Sequence, residues 1–374
     1  MARMLIVADR MLHADGGFSA GWVQVEGNVV VEAGAGDPPS AFPIERRVQV
    51  LSPGFVDIHC HGGAGASFST TDPDEALRVA GAHRAAGTTT VVASLVTASL
   101  ADMAAQVAVL AGLVQDGILA GIHLEGPWLS PAFVGAHDPA LLRHPEPADV
   151  DSLLRSGAVR MVTLAPELPG GLEAVRQVAG SGAVAAVGHT DSDGGGLAAA
   201  LDAGARVVTH LFNAMRPIHH RDPGPVPVAL ADGRVVVELI ADGAHVDPVM
   251  LEWAARSARG GYALVSDASP AALAPDGLYR LGGLEVTVSG GVPRLDSSGA
   301  IAGSTLTMGR AVQVMVAAGV PPASALAAAT AVPARALGLE AAGHLTPGSP
   351  ADLVALTTDL EVDAVMYRGR WLPT

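Results

Sequence analysis

The chain contains no lysine. That absence excludes a Walker-type phosphate loop, a Schiff-base lysine, and a carbamylated lysine bridging two metals. Every cation must therefore be an arginine, a protonated histidine, the N-terminus or a bound metal. Cysteine is nearly absent too: Cys60 is the only one, so no internal disulfide or thiolate zinc cluster can form. No run of about 20 uninterrupted apolar residues occurs, so no membrane-spanning helix is expected. Residues 1–10 lack the apolar core and small-residue cleavage site of a signal peptide, which makes the cytoplasm the expected location. Positive charge is scarce, with 22 Lys and Arg against 37 Asp and Glu and a net charge of −15. Such an excess argues against nucleic acid as a partner.

What is present is apolar, and 374 residues suffice for one large barrel with a small companion domain. Short strands separated by Gly and Asp turns are expected at 4–8, 22–25 and 28–32, and again at 352–355, 364–367 and around Trp371. Segments at opposite ends of a chain can pair into one sheet. The expected organisation is a small β-sandwich built from residues 1–50 and 345–374, beside a domain over residues 51–344. In that central part apolar strands alternate with Ala-rich helices, the pattern of parallel strands with crossover helices. Eight strands are expected, at 54–58, 88–93, 118–124, 160–164, 184–188, 206–209, 235–240 and 262–266. Helices are expected at 74–86, 101–114, 172–179, 197–203, 248–258, 304–318 and 322–337, with a Gly-rich segment after Asp267. Eight βα units make a (β/α)8 TIM-like barrel.

The stretch Pro53-Gly54-Phe55-Val56-Asp57-Ile58-His59-Cys60-His61-Gly62-Gly63 places His59 and His61 on one face of the first strand, and Cys60 on the other as a small buried group. Two imidazoles there could chelate one divalent cation or be a buried, hydrogen-bonded pair. Later strand ends decide between these. Glu125 follows the third strand, His189 the fifth, His210 the sixth, Asp242 and His245 the seventh, and Asp267 the eighth. In a closed barrel all these ends open on one face, so the residues converge. One carboxylate with several imidazoles and no thiolate describes a catalytic metal site rather than a structural one. Glu125 is the carboxylate available to bridge or anchor a metal, and Asp267 can take a proton from water and pass it to a leaving amine.

The ordered motifs make the pattern more specific. They include Leu124-Glu125-Gly126-Pro127-Trp128, Gly135-Ala136-His137, Gly188-His189-Thr190 and Thr209-His210-Leu211-Phe212-Asn213-Ala214-Met215. Further along come Arg221-Asp222-Pro223-Gly224, Ala241-Asp242-Gly243-Ala244-His245, Ser266-Asp267-Ala268 and Ala302-Gly303-Ser304. This series resembles the amidohydrolase superfamily and, within it, the N-acetylglucosamine-6-phosphate deacetylase family, from about residue 53 to residue 352. The resemblance implies metal-dependent release of acetate from N-acetylglucosamine 6-phosphate. It implies Glu125, His189 and His210 as ligands of the main metal, with His59 and His61 for a second. The metal would be zinc, with iron or manganese as alternatives, one or two per subunit. Asp267 would be both a metal ligand and the catalytic acid/base, and His137 would polarise the acetyl carbonyl. Asn213, the Ala214 backbone and His245 would contact the sugar phosphate, with Ala136 and Ala302 beside the substrate. Arg221 would reach the phosphate in the neighbouring subunit's site, implying a homodimer.

Asp222, the run Pro225-Val226-Pro227 and Ser269 depart from that family's usual residues. N-acetylgalactosamine 6-phosphate stays open as the substrate, as does another small amide. The missing lysine argues against hydantoinase-like enzymes, and the fifth strand lacks a deaminase's His-plus-Glu arrangement. A non-catalytic barrel predicts broken ligands, and none is broken. Among the rest, His219 and His220 read as solvent or subunit-interface residues, and Met215 and Met308 as packing. Trp128 reads as a pocket wall or a packed anchor, and His13, His83, His144 and His344 as surface or capping residues.

Overall fold

Strands covered on both faces cannot alternate, and the eight parallel strands of the central sheet are buried almost throughout. They run over Phe55–Cys60, Thr88–Leu95, Gly121–Glu125, Val159–Leu164, Val184–Val187, Val207–Val208, Val236–Leu239 and Tyr262–Leu264. The computed structural model describes residues 3–39 and 43–373. Each strand pairs with the next in chain order, always parallel. All eight expected strands are present, with shifted ends. The third begins at Gly121 rather than 118 because Ile118 and Leu119 donate back to Leu113 O and finish the preceding helix.

The last strand returns to the first. Cys60 bridges Ala268 in parallel register. Asp267 donates its N–H to His59 O, and His61 donates to Ala268 O, both at 2.8 Å. Within this seam the buried Asp57 carboxylate accepts from Ser266 Oγ at 2.5 Å and from Ser266 N at 3.2 Å. Burial pushes the Asp57 carboxyl upward in pKa, and the Ser266 hydrogen bonds oppose that rise. The cylinder is thus a (β/α)8 barrel whose strand C-termini share one rim.

The five helices expected between the strands form at Pro73–Ala85, Leu100–Gln115, Gly171–Gly180, Gly194–Ala203 and Pro248–Ser257. Asp72, Ser99, Asp193 and Asp247 cap four of them through their side chains. Two more, Pro147–Leu154 and Val226–Ala231, were not expected. Pro225-Val226-Pro227 opens the second, since proline suits a first helical turn, where no intrahelical N–H bond is made. The span 304–318 begins its helix only at Met308, because Ser304 is spent on pairing with Ala268 and Thr307 is the cap. The span 322–337 divides into Pro322–Ala328 and Ala331–Ala336, broken where Thr330 leaves helical dihedrals.

Three described sheets lie outside the barrel, the smallest a two-stranded pair of Gly62–Gly63 with Ala66–Ser67. The terminal segments form seven strands in the order Arg370–Trp371, Val362–Tyr367, Leu353–Leu356, Ile44–Pro53, Arg3–Leu12, Phe18–Glu26 and Val29–Ala35. This is the small β-sandwich, joined where Leu353–Leu356 pairs antiparallel with Ile44–Pro53. Alternation gives it two apolar faces, one including Ile6, Val23, Leu51 and Leu353, the other Leu5, Val7 and Trp22. The Gly-rich segment after Asp267 contains a three-stranded meander, Gly277–Leu281, Leu284–Ser289 and Val292–Leu295. It packs Leu281 and Ala302 against Val96 and Ala136, beside the barrel rim. No described helix is long and apolar enough to cross a membrane.

Ser266→Ala removes the shortest donor to a buried carboxylate. It should lower stability by about 1–3 kcal/mol, read as a lower urea midpoint at unchanged slope. An unchanged midpoint would show that the seam does not depend on this pair.

Candidate metal-dependent active site

Glu125, at the C-terminal end of the third strand, is the hub. Its Oε1 lies 3.2 Å from His189 Nε2 and 3.1 Å from His210 Nε2. Its Oε2 lies 3.2 Å from His61 Nε2 and 3.3 Å from His137 Nε2. His59 Nε2 comes within 3.5 Å of Oε1. Asp267 Oδ1 completes the ring, 3.3 Å from His61 and 3.6 Å from His59. Of the polar residues expected at the strand ends, His59, His61, Glu125, His189, His210 and Asp267 therefore meet, and all six are buried; Asp242 and His245 are half-buried and stand outside this ring.

Backbone conformation aims several of them. His189, His210 and Asp267 have φ of 47°, 28° and 47°, and Ala214 follows at 48°. Left-handed φ turns a strand end abruptly, at a steric cost that the surrounding structure must hold in place. For Asp267 that hold is visible: Ser304 donates its N–H to Asp267 O at 2.7 Å.

Outer hydrogen bonds set the tautomers. His59 Nδ1 faces Glu238 Oε2 at 3.0 Å, His61 Nδ1 faces Ser94 O at 3.2 Å, and His189 Nδ1 faces Phe133 O at 2.9 Å. All three partners are acceptors, so each Nδ1 carries the proton and each neutral ring turns the Nε2 lone pair inward. Lone pairs then confront each other at 3.0 Å between His59 and His61, and the His189 lone pair faces His210 Nε2 at 3.1 Å, with Glu125 oxygens alongside. Such a cluster repels itself unless positive charge sits among the acceptors. Without a metal that charge must be protons: burial opposes a charged His61 ring, but Asp267 and Glu125 overcome it and its pKa is pushed up to about 9. The imidazoles in turn hold Glu125 and Asp267 well below the usual carboxylate range, against burial. A divalent cation meets the same demand, and two trios fit one: His59, His61 and Glu125, and Glu125, His189 and His210.

His137 differs. Its Nδ1 accepts from Thr97 N at 3.3 Å, so the proton sits on Nε2 and points into the site. Burial lowers its pKa to about 4 despite the nearby Glu125, so the ring is neutral and a donor.

The ligand cluster opens into a cavity of about 560 Å³ lined also by Ala136, Asn213, Ala214 and His245, and by Leu281 and Ile301 of the meander region. Asn213 Nδ2 donates to His210 O and Leu211 O, which fixes the turn after the sixth strand. His245 Nδ1 lies 2.7 Å from Asp242 Oδ2. Burial works against the imidazolium, but Asp242 prevails and raises its pKa. Two expected substrate residues stand elsewhere. Ala302 is buried in the apolar cluster while its neighbours Ile301 and Gly303 line the cavity. Arg221 is exposed against His220 and does not line its own chain's cavity.

Some residues differ from the sequence reading. His83 is neither surface nor cap: it is fully buried, with Nε2 2.8 Å from Gly62 O and 3.4 Å from Cys60 Sγ. The approach needs glycine, since a Cβ at Gly63 would come within 2.7 Å of that ring. Asp57, Cys60 and His83 form a third possible metal trio, but Asp57 is committed to Ser266. Trp128 is a fully buried anchor. Sequence reasoning missed Glu238 and His123, both wholly buried. His123 links Ser94 Oγ at 2.9 Å to Thr163 Oγ1 at 2.8 Å beneath the ligands. The available signal was a lone polar residue inside an apolar strand, as in Val236-Val237-Glu238-Leu239.

Residues 50–372 match the amidohydrolase family. The chain is 37% identical over 371 residues to an N-acetylgalactosamine-6-phosphate deacetylase of Escherichia coli O157:H7, covering 97% of each. It is 38% identical to the human N-acetylglucosamine-6-phosphate deacetylase, covering 89% of this chain and 88% of that one. A solved structure of a mutant N-acetyl-D-glucosamine-6-phosphate deacetylase of Mycobacterium smegmatis, in complex with N-acetyl-D-glucosamine-6-phosphate, superposes with a TM-score of 0.96 at 46% identity and covers 100% of both chains. With its barrel, its shared carboxylate and its inward-facing imidazoles, the chain belongs to the amidohydrolase family and stands among the N-acetylglucosamine-6-phosphate deacetylases.

Proposed function

We propose that the protein hydrolyses the acetamide of N-acetylglucosamine 6-phosphate to glucosamine 6-phosphate and acetate. The observation that carries this reading is the ring of Nε2 lone pairs and carboxylate oxygens around Glu125, beside a cavity with a donor at His137 and a carboxylate at Asp267. Glu125, His189 and His210 would hold the main divalent cation, and His59 and His61, with Glu125 shared, a second. Zinc is the first expectation, with iron and manganese as alternatives. When bound, such a cation lowers the pKa of water to roughly 7 and polarises a carbonyl.

The remaining work falls to this chain's own groups. Asp267, ionised and at the rim, takes the proton from the attacking water and hands it to the sugar nitrogen as the C–N bond breaks. His137, with its proton on Nε2, donates to the acetyl oxygen as negative charge builds there. Leu281 and Ile301 shield the cavity from bulk water and suit the acetyl methyl. Asn213, the Ala214 backbone and the His245 cation orient the sugar phosphate. Arg221, outside its own cavity, serves the partner site of a homodimer. A dianionic sugar phosphate does not cross a bilayer unaided, which supports a reaction in the cytoplasm.

Purified protein supplied with zinc should release acetate from N-acetylglucosamine 6-phosphate faster than from the unphosphorylated sugar, with the galactosamine epimer deciding the sugar preference. Asp267→Asn should lower kcat at least about 100-fold at nearly unchanged metal content. A retained rate removes the aspartate from its role.

His245 is raised by Asp242, so its cation is complete at low pH and is lost as pH rises through the elevated value. KM for the phosphorylated substrate should therefore climb on the alkaline side, and Asp242→Asn should start that climb at lower pH. Profiles that coincide would separate His245 from phosphate binding. Arg221→Ala and Asp267→Asn chains, each inactive or weak alone, should regain activity when mixed into heterodimers. No regain would place Arg221 outside the partner's site.

A further inference from the structure

We propose that Glu238 is a positioning residue that makes the His59–His61 half of the site a cation site in its own right. The proposal rests on the metal reading above and assigns a role to a residue outside the ligand set. Glu238 lies within the seventh strand, Val236–Leu239, wholly buried between apolar neighbours. Its Oε2 faces His59 Nδ1 at 3.0 Å and accepts the backbone N–H of His210 at 3.2 Å. One oxygen atom therefore touches a ring of one trio and the backbone of a ligand of the other. Its Oε1 has no hydrogen-bond partner among the described residues.

A buried carboxylate needs a compensating charge. The chain has no lysine, and the titratable side chain that Glu238 meets among the described residues is His59. Compensation thus reaches Glu238 through the His59 ring. By accepting Nδ1–H it fixes the tautomer that presents Nε2 inward, 3.0 Å from His61 Nε2, whose own Nδ1 is tied to Ser94 O. Those two lone pairs and Glu125 Oε2, 3.2 Å from His61, converge on one region. One added proton would serve a single acceptor there, whereas one divalent cation serves all three. Glu125, Asp267 and Glu238 together bring three negative charges. One divalent cation does not balance all three, and Glu238 lies on the His59 side.

The test is zinc stoichiometry and affinity, measured by elemental analysis after equilibrium dialysis against chelator-buffered zinc. Wild-type protein should hold two zinc ions per chain. Glu238→Gln keeps an oxygen acceptor but loses the charge, and should retain the first zinc while weakening the second about 10–100-fold. Glu238→Asp, with charge kept but reach shortened, should show the same loss and decides the matter if the glutamine variant does not fold. Melting temperatures of metal-stripped wild type and variant should agree, with only the zinc-dependent rise reduced. A lower stripped melting temperature at unchanged second-zinc affinity would make Glu238 merely structural and overturn the proposal. So would equal affinities in wild type and both variants, or one zinc in the wild type. A wild type that binds no zinc would instead overturn the metal reading itself.

Discussion

A carboxylate only 4% exposed and ringed by five imidazoles, with no lysine in the chain, is the constraint around which this molecule is built. Glu125 cannot lie there as an uncompensated charge, and the rings around it cannot lie there as uncompensated lone pairs. The site becomes self-consistent only with small cations at its centre. The outer acceptors make this demand rigid, since Ser94 O, Phe133 O and Glu238 leave three rings no alternative tautomer. The lower polar layer of His123, Thr163 and Thr209 continues the same logic into the barrel, each group occupied by the next.

Barrel closure and site assembly are one event. The seam hydrogen bonds run through His59, His61 and Asp267, the residues whose side chains enter the ring. A strand that failed to close would therefore scatter the His59–His61 pair from Asp267. Farther out, the cavity wall comes from other segments. The meander supplies an apolar roof, and the turn after the sixth strand presents Asn213 and Ala214.

Much of this was legible in the sequence because of where polarity interrupts. Glu125, His189, His210 and Asp267 each end an apolar run just before a turn, and eight such runs in series imply a common rim. Glu238 and His123 were not legible, because a polar residue inside a short strand reads the same whether it faces the helices or the interior. The strand Ile44–Pro53 was missed because Glu45, Arg46 and Arg47 mask its first half, and it becomes apolar only where it enters the core. The meander's strands alternate, but they are short and bracketed by glycines at 277, 282–283 and 290–291, which read as loop. His83 looked peripheral because its burial depends on Gly62 and Gly63, twenty residues away, leaving room for a ring. The prolines in 225–227 stood out only as a departure from the family's usual residues, and they start a helix, where a first-turn proline gives up no hydrogen bond.

Cys60 sits between the two rim histidines with its sulfur turned to Gly62 O and His83, wholly shielded, and burial raises its pKa well above the usual thiol range. Since the thiolate is the reactive form, a thiol reagent meets no target while the cylinder stays shut. The molecule thus carries a silent chemical clock at its most consequential joint. With no second sulfhydryl to confuse the signal, the rate of labelling would time how often that joint parts.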